Sequence, residues 1–349
     1  MHSLFSESTA TLREHLDTYI SRDCRSLLAL QPWGPDFRVR LREYALRGKL
    51  IRGALVPVAF RLFQSDRETP DVAYQAGVAM ELLQSFLLIH DDIMDQDSIR
   101  RGGPAVHSQY ESILADQENA RQFGLSMGIC GGDVAAFLAM ERISTLPVDP
   151  VLRADLVTLV SKEIISVGLA QMQDVHHGYI SEVTTEDILH VYTYKTGRYT
   201  FSLPLMTGAR LAGVPAAQEH ILARIGEHLG RIFQIRDDQL GLFGRSEEIG
   251  KTAGSDIREN KKTLFRESLL QRLPEDHPAR FVFGSADLDP QQIQMVQDEI
   301  VRTGVLDEVN RLVEDEQRRI MQLMDELEIP DAGREVLNAL VNYNNRRTM

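Results

Sequence analysis

Lysine is scarce in this chain, with six residues against thirty-two arginines in a length of 349. Cysteine is scarcer still: Cys24 and Cys130 are the only two, and two thiols cannot form a disulfide framework. The opening residues 1–7 lack the basic start and apolar stretch of a secretory leader, so a reducing cytoplasm is the expected compartment. Long apolar runs are missing as well. The longest stretches without a charge, Gln122–Gly132 and Tyr199–Ala209, hold eleven residues each, well short of the roughly 20 that cross a bilayer, and no membrane span is expected. Positive charge is in deficit: 51 Asp and Glu against 38 Lys and Arg leave a formal charge of −13. That balance argues against a general nucleic-acid or anionic-membrane binder, either of which needs a positive surface, though it leaves room for a local basic cleft.

Strand-like alternation is rare too, while apolar residues recur at helical spacing almost everywhere. Val78, Leu82, Leu83, Phe86 and Ile89 mark one helix; Leu306, Val309, Leu312, Ile320, Leu323 and Leu327 mark another. Pro, Gly and Asp punctuate the pattern at 64–70, 147–150, 213–215, 273–278 and 330–333. No linker-like shift in composition and no repeat of 30–50 residues interrupts it. The expectation is an all-α chain of about a dozen helices forming one domain over residues 1–349.

Residues 88–103 read Leu-Ile-His-Asp-Asp-Ile-Met-Asp-Gln-Asp-Ser-Ile-Arg-Arg-Gly-Gly. Asp91 and Asp95 lie one turn apart on one helix face, with Asp92 beside them. Like charges at this spacing cost roughly 0.2–0.5 kcal/mol per pair even when exposed, and the apolar run 82–89 drives the helix toward a core where charge is screened less. A cation removes that penalty. Carboxylate oxygens without a nearby thiol suit a hard ion, Mg²⁺ before Zn²⁺. The plainer reading, a solvated acidic helix end, is weakened by Arg100 and Arg101 directly after it. Paired guanidinium forks beside a metal site are what a bound diphosphate requires.

A second acidic pair, Asp237 and Asp238, follows 146 residues after Asp91 in the run Phe233-Gln-Ile-Arg-Asp-Asp-Gln-Leu-Gly241. Gln234 shares a face with it one turn back. Alone, the pair would read as surface. Two such pairs suggest a metal-lined cleft, and the lysines fall where anions would be held. Lys49 stands in Gly48-Lys-Leu-Ile-Arg52, one turn from Arg52 at a helix start. Lys195 precedes Thr196, and Lys251 and Lys261 flank 252–260.

Together these elements resemble the trans-isoprenyl diphosphate synthases, the polyprenyl synthase family, and most of all its short-chain geranylgeranyl members. The likeness rests on Gly48-Lys49-x-x-Arg52, Asp91-Asp92-x-x-Asp95 with Arg100-Arg101-Gly102, Gln171-x-x-Asp174, Lys195-Thr196, Phe233-Gln234-x-x-Asp237-Asp238, Gly250-Lys251 and Ser255-Asp256-Ile257 with Lys261. It spans about residues 40–265. The resemblance implies a single α-helical bundle around a central cavity, a homodimer, and three Mg²⁺ ions held by Asp91, Asp95 and Asp237, with Asp92 and Asp238 in support. It further implies that Arg100, Lys195, Lys251 and Lys261 grip an allylic diphosphate, and that Lys49, Arg52, Gln84 and Arg101 hold isopentenyl diphosphate. Thr196, Gln234 and Gln171 would face a carbocation with oxygen dipoles. Gly241 departs from the pattern where many members carry a third Asp.

Phe86 lies five residues before Asp91, roughly 7 Å deeper along the helix at about 1.5 Å per residue, with Leu87 beside it. A lone aromatic at this place resembles the geranylgeranyl (C20) synthases, and farnesyl (C15) or longer-chain synthesis is the alternative. A class I terpene cyclase would replace the second motif by a pattern that is not found here. A di-iron bundle needs Glu-x-x-His pairs, and none of the ten histidines has Glu three residues before it. A non-catalytic subunit of a heteromeric synthase would be expected to lose aspartates that this chain keeps.

Overall fold

The computed structural model describes residues 3–64, 68–244, 254–285 and 287–345. In chain order these form α1 (Ser3–Thr18), α2 (Trp33–Leu46), α3 (Ile51–Phe63), α4 (Asp71–Met94), a two-residue hairpin β1 (Ile99–Arg100) and β2 (Gly103–Pro104), α5 (Val106–Glu111), α6 (Ala120–Ser144) and α7 (Pro150–His177). There follow α8 (Thr185–Val191), a π-helical segment Tyr192–Ser202, α9 (Leu203–Leu211), α10 (Ala216–Phe243), α11 (Ser255–Arg258), α12 (Leu264–Arg272), α13 (Pro290–Arg302), α14 (Val305–Asp325) and α15 (Asp331–Asn345). The all-α expectation holds. Helices stop where the punctuation falls, except at 330–333, where Pro330 ends the connection and Gly333 already lies inside α15. The hairpin was not foreseen, because two residues per strand are too few to show alternation.

Backbone contacts gather into two compact units, residues 1–159 with 204–214, and residues 160–203 with 215–349. In the first unit α4 is the central helix. It buries Ala73, Ala76, Met80, Leu82, Leu83 and Ile89 and packs on α3 and α6. Most of α4 is apolar on several faces, as a helix surrounded by others must be. In the second unit α10 is central, packed on the π segment and on α14.

The backbones of α10 and the π segment come very close. A Cβ added at Gly230 would lie 1.9 Å from the Cα of Gly197, so no side chain fits at residue 230. The segment itself is wound wider than an α-helix: the N–H of Leu203 reaches back five residues to the carbonyl of Arg198. Such stretches are rare and concentrate at functional sites.

Two helices, α4 and α6, are long and apolar enough by length and composition to cross a membrane. Counting charge-free runs missed them, since each tolerates a few charges inside an otherwise apolar window. In α4, 67% of that window is buried; in α6 only 39% is. The outward side of α6 presents Cys130, Val134 and Phe137 at i, i+4 and i+7, with Phe137 75% exposed. Ile165, Leu169 and Met172 repeat the spacing on α7, each more than 60% exposed. Contiguous apolar stripes of this kind mark interaction surfaces.

Candidate active site

In the first unit, α4 ends at Met94 with Asp95 as its C-cap, and the first acidic cluster occupies this last turn. The carboxylates divide by burial. Asp92 is fully buried; its Oδ2 accepts the Tyr44 hydroxyl at 2.8 Å and its Oδ1 accepts from Nε of Arg100. Burial pushes the Asp92 carboxyl up to about 6 despite those partners. Asp91 is half-buried with its Oδ2 3.8 Å from Arg100, and Asp95 is exposed. Arg100 also binds Asp97 at 2.8 Å, so one guanidinium gathers three carboxylates.

The hairpin places that arginine. Ile99 pairs with Pro104 and Arg100 with Gly103, and the two turn residues Arg101 and Gly102 take φ of 54° and 71°. Both positive values are what a tight two-residue hairpin turn demands. Gly102 adopts this freely, whereas Arg101 carries a strain of roughly 1–2 kcal/mol. The turn sends Arg101 back to the end of α2 and the loop that follows, where it donates to the Tyr44 carbonyl at 3.5 Å and approaches Gly48.

That loop carries Lys49, which is exposed, and leads into Arg52 in the first turn of α3. The N-cap position, Leu50, is left-handed and offers no side-chain cap. Glu81 of α4 caps the helix instead: its buried Oε1 accepts the Gly53 N–H at 2.7 Å. Arg13 donates to the Gly48 carbonyl at 3.0 Å and fixes the loop from the other side. Gln84 is 4% exposed, and among the described residues its Oε1 has no hydrogen-bond partner. Phe86 is half-buried, its ring meeting the edge of His90 with centroids 5.1 Å apart. His90 in turn lies over Gly132 of α6 and contacts the Ile129 carbonyl at 3.1 Å. Leu87, beside Phe86, is also half-buried.

The second unit repeats the division. Asp238 is 1% exposed and accepts the Tyr192 hydroxyl at Oδ2. Its Oδ1 takes Lys261 Nζ and Gln234 Nε2, both at 3.0 Å. Asp237, the neighbour, is exposed. Gln234 Oε1 accepts the Thr196 hydroxyl at 2.9 Å, and Lys195 bonds Asp174 at 2.6 Å. Gln171 lies one turn before Asp174 on α7.

Gly241 has a local reason. A Cβ there would stand 2.6 Å from the Oδ2 of Asp256 on α11, so the space one turn past Asp237 already holds a carboxylate delivered from another helix. Loss of water, opposed by Lys261 and aided by Asp238, pushes that Asp256 carboxyl up to about 6. Lys251 lies outside the described residues.

Each predicted residue that is described thus falls into one of two clusters. Lys49, Arg52, Gln84, Phe86, Leu87, Asp91, Asp92, Asp95, Arg100 and Arg101 belong to the first unit; Lys195, Thr196, Gln234, Asp237, Asp238 and Lys261 belong to the second. The sequence did not single out Tyr44, Glu81, His90 or Tyr192. All four are ordinary residues of helical segments, and only their partners reveal them.

Among the described residues no three His, Cys, Asp or Glu side chains form a ready-made metal cage. The donor set instead offers one or two outward carboxylates per cluster, backed by arginine or lysine. That is the number Mg²⁺ takes from protein when phosphate oxygens and water complete its shell, and the all-oxygen chemistry fits it.

The sequence profile of the polyprenyl synthetase family matches residues 39–300. A geranylgeranyl diphosphate synthase of Sulfolobus acidocaldarius is 32% identical over 276 residues, covering 78% of this chain and 75% of that protein. A farnesyl diphosphate synthase of Geobacillus stearothermophilus is also 32% identical, over 66% of this chain and 74% of its own. Among solved structures, the geranylgeranyl pyrophosphate synthase from Corynebacterium glutamicum, complexed with isoprenyl diphosphate and magnesium, superposes with a TM-score of 0.89. It is 28% identical and the match covers 98% of this chain and 99% of that one.

Proposed function

The chain belongs to the polyprenyl synthetase family, and we propose that it joins isopentenyl diphosphate head-to-tail to allylic diphosphates, with geranylgeranyl diphosphate as the main product. The observation that carries this reading is the matched division of the two aspartate pairs. In each, one carboxylate is buried and fixed by a tyrosine and a cation, while its neighbour is less buried, half-buried at Asp91 and exposed at Asp237. A fixed anion seats the basic group, and the less buried one is assigned to a metal–diphosphate complex.

Asp91, Asp95 and Asp237 would hold Mg²⁺, which when bound supplies Lewis-acid pull on the departing diphosphate. Arg100, Lys195 and Lys261 are assigned to that diphosphate, with Lys251 alongside; each of the three described cations already sits on a carboxylate that places it. Lys49, Arg52 and Arg101 are assigned to isopentenyl diphosphate. Gln84 fits with them, since turning its amide presents NH₂ donors where the unpartnered oxygen now lies. Holding both reactants replaces a bimolecular encounter and accounts for much of the rate. Thr196 and Gln234 offer oxygen dipoles to the allylic cation, and the released diphosphate accepts the proton lost on coupling. The chain must also exclude water, which would quench the cation.

Incubation with labelled isopentenyl diphosphate, Mg²⁺ and each allylic primer, followed by measurement of product length, tests the whole reading. A labelled C20 allylic diphosphate is expected, and no chain extension with any primer would refute it.

Product length is assigned to Phe86, braced by His90. Phe86→Ala opens the space beside that ring, and the main product should shift from C20 to C25 or longer, read by chromatography of the dephosphorylated prenols. An unchanged spectrum would remove Phe86 as the floor.

The exposed stripes on α6 and α7 support a homodimer. Phe137→Glu places a charge in the most exposed apolar position of α6, and light scattering should then report a monomer where the parent chain gives a dimer.

A further inference from the structure

Tyr192 opens the π segment three residues before Lys195. It is 4% exposed, and its hydroxyl donates to Oδ2 of Asp238 while accepting the backbone N–H of Leu264. The two oxygens of Asp238 are therefore assigned: one to the tyrosine, the other shared by Lys261 and Gln234. The consequence passes to Gln234. With its NH₂ committed to Asp238, its carbonyl oxygen is turned the opposite way, where it takes the proton of the Thr196 hydroxyl. Both Gln234 Oε1 and Thr196 Oγ1 then offer lone pairs, not protons, beyond their contact. Lone pairs are what stabilises a neighbouring cation.

We infer that Tyr192 is a positioning residue for the ionisation step: by occupying Oδ2 it holds Asp238 in the rotamer whose Oδ1 locks the amide of Gln234 with oxygen toward Thr196. The inference rests on the condensation reading above and names a residue that touches neither substrate. Without the hydroxyl, Oδ2 is a buried acceptor with nothing to accept, a costly state that the carboxylate relieves by turning. Once it turns, the two ends of the Gln234 amide lose their distinction, and an N–H can face the cation. Tyr44 makes the same bond to Asp92 in the first unit, at 2.8 Å, so the device occurs twice, on independent helices.

The test is a cycle of Tyr192→Phe, Asp238→Asn and the double variant, with kcat and KM measured for both diphosphates and melting curves recorded without Mg²⁺. Tyr192→Phe should lower kcat roughly 10- to 100-fold, with each KM within about threefold of the parent, because the loss is confined to the transition state. The double variant should be no slower than Asp238→Asn alone, since both changes break one link. Melting should stay within a few degrees of the parent for all three. An unchanged kcat, a rise in KM alone, or effects that multiply in the double variant would overturn the inference. So would a Tyr192→Phe chain that fails to fold while Asp238→Asn folds, for the hydroxyl would then serve the core. If the parent chain itself extends no primer, the condensation reading fails and takes this inference with it; a parent that turns over beside an equally fast Tyr192→Phe variant sinks the inference alone.

Discussion

Replacing Asp91 or Asp237 by Ala should lower turnover by at least about a thousandfold while leaving the helical fold intact. Metal-assisted departure of a diphosphate is worth several kcal/mol, and each 1.4 kcal/mol is a factor of ten. The fold should survive because neither carboxylate is buried in the core: Asp237 is exposed and Asp91 only half-buried, so losing either leaves no cavity. The buried partners behave differently. Asp92→Ala would take the acceptor from the buried Tyr44 hydroxyl and one of three carboxylates from Arg100, and lose stability as well as rate, because a buried donor left unsatisfied is costly. Circular dichroism and melting curves separate the two cases. Asp91→Ala with near-parental turnover would refute the metal assignment, and a chelator should abolish the parent's activity as completely as that substitution does.

The second large effect is expected at Gly230. Alanine there would put its Cβ 1.9 Å from the Cα of Gly197 and 2.7 Å from the same residue's nitrogen. Both obstacles are backbone, so no side chain can swing aside and the helices must separate. Overpacking of this kind costs roughly 1–3 kcal/mol and sometimes more, and at the upper end the melting temperature should fall by about 4 °C or more. Activity should fall further than stability explains. The contact lies one turn from Gln234 and one residue from Thr196, whose 2.9 Å hydrogen bond crosses the same gap. Gly197→Ala is the control. Its Cβ would meet the nearest backbone atom at 3.2 Å, and a small adjustment relieves that, so Gly197→Ala should melt well above Gly230→Ala. Equal behaviour of the two variants would show that the close approach does not govern the site.

Much of this was legible in the residues. The helical class followed from apolar spacing, and the two aspartate pairs, the Gly48–Arg52 element and the arginine pair stood out because like charges are crowded together in each, an arrangement that costs energy without a counter-ion or ligand. What stayed hidden was pairing between distant segments. No local pattern predicts that Tyr44 meets Asp92 across 48 residues or that Tyr192 meets Asp238 across 46. The role of Gly241 was hidden for the same reason. Its missing side chain reads as a deficiency in the sequence, and only the arrival of Asp256 from α11 shows that the space is used. The hairpin at 99–104 escaped because its shape rests on two positive φ angles, one of them at an arginine, a residue with no preference for that region.

The wide winding of 192–202 bears on how this protein can be engineered. The segment holds more residues in each turn than an α-helix does, so a deletion that tightened its backbone to the commoner hydrogen-bond spacing would turn its side chains out of their present directions. Thr196 would leave Gln234, and Tyr192 would leave Asp238. A library of single-residue deletions sorted only for heat resistance would therefore enrich chains that have traded their chemistry for a regular helix, and a sorting scheme for this protein has to score product formation in every round.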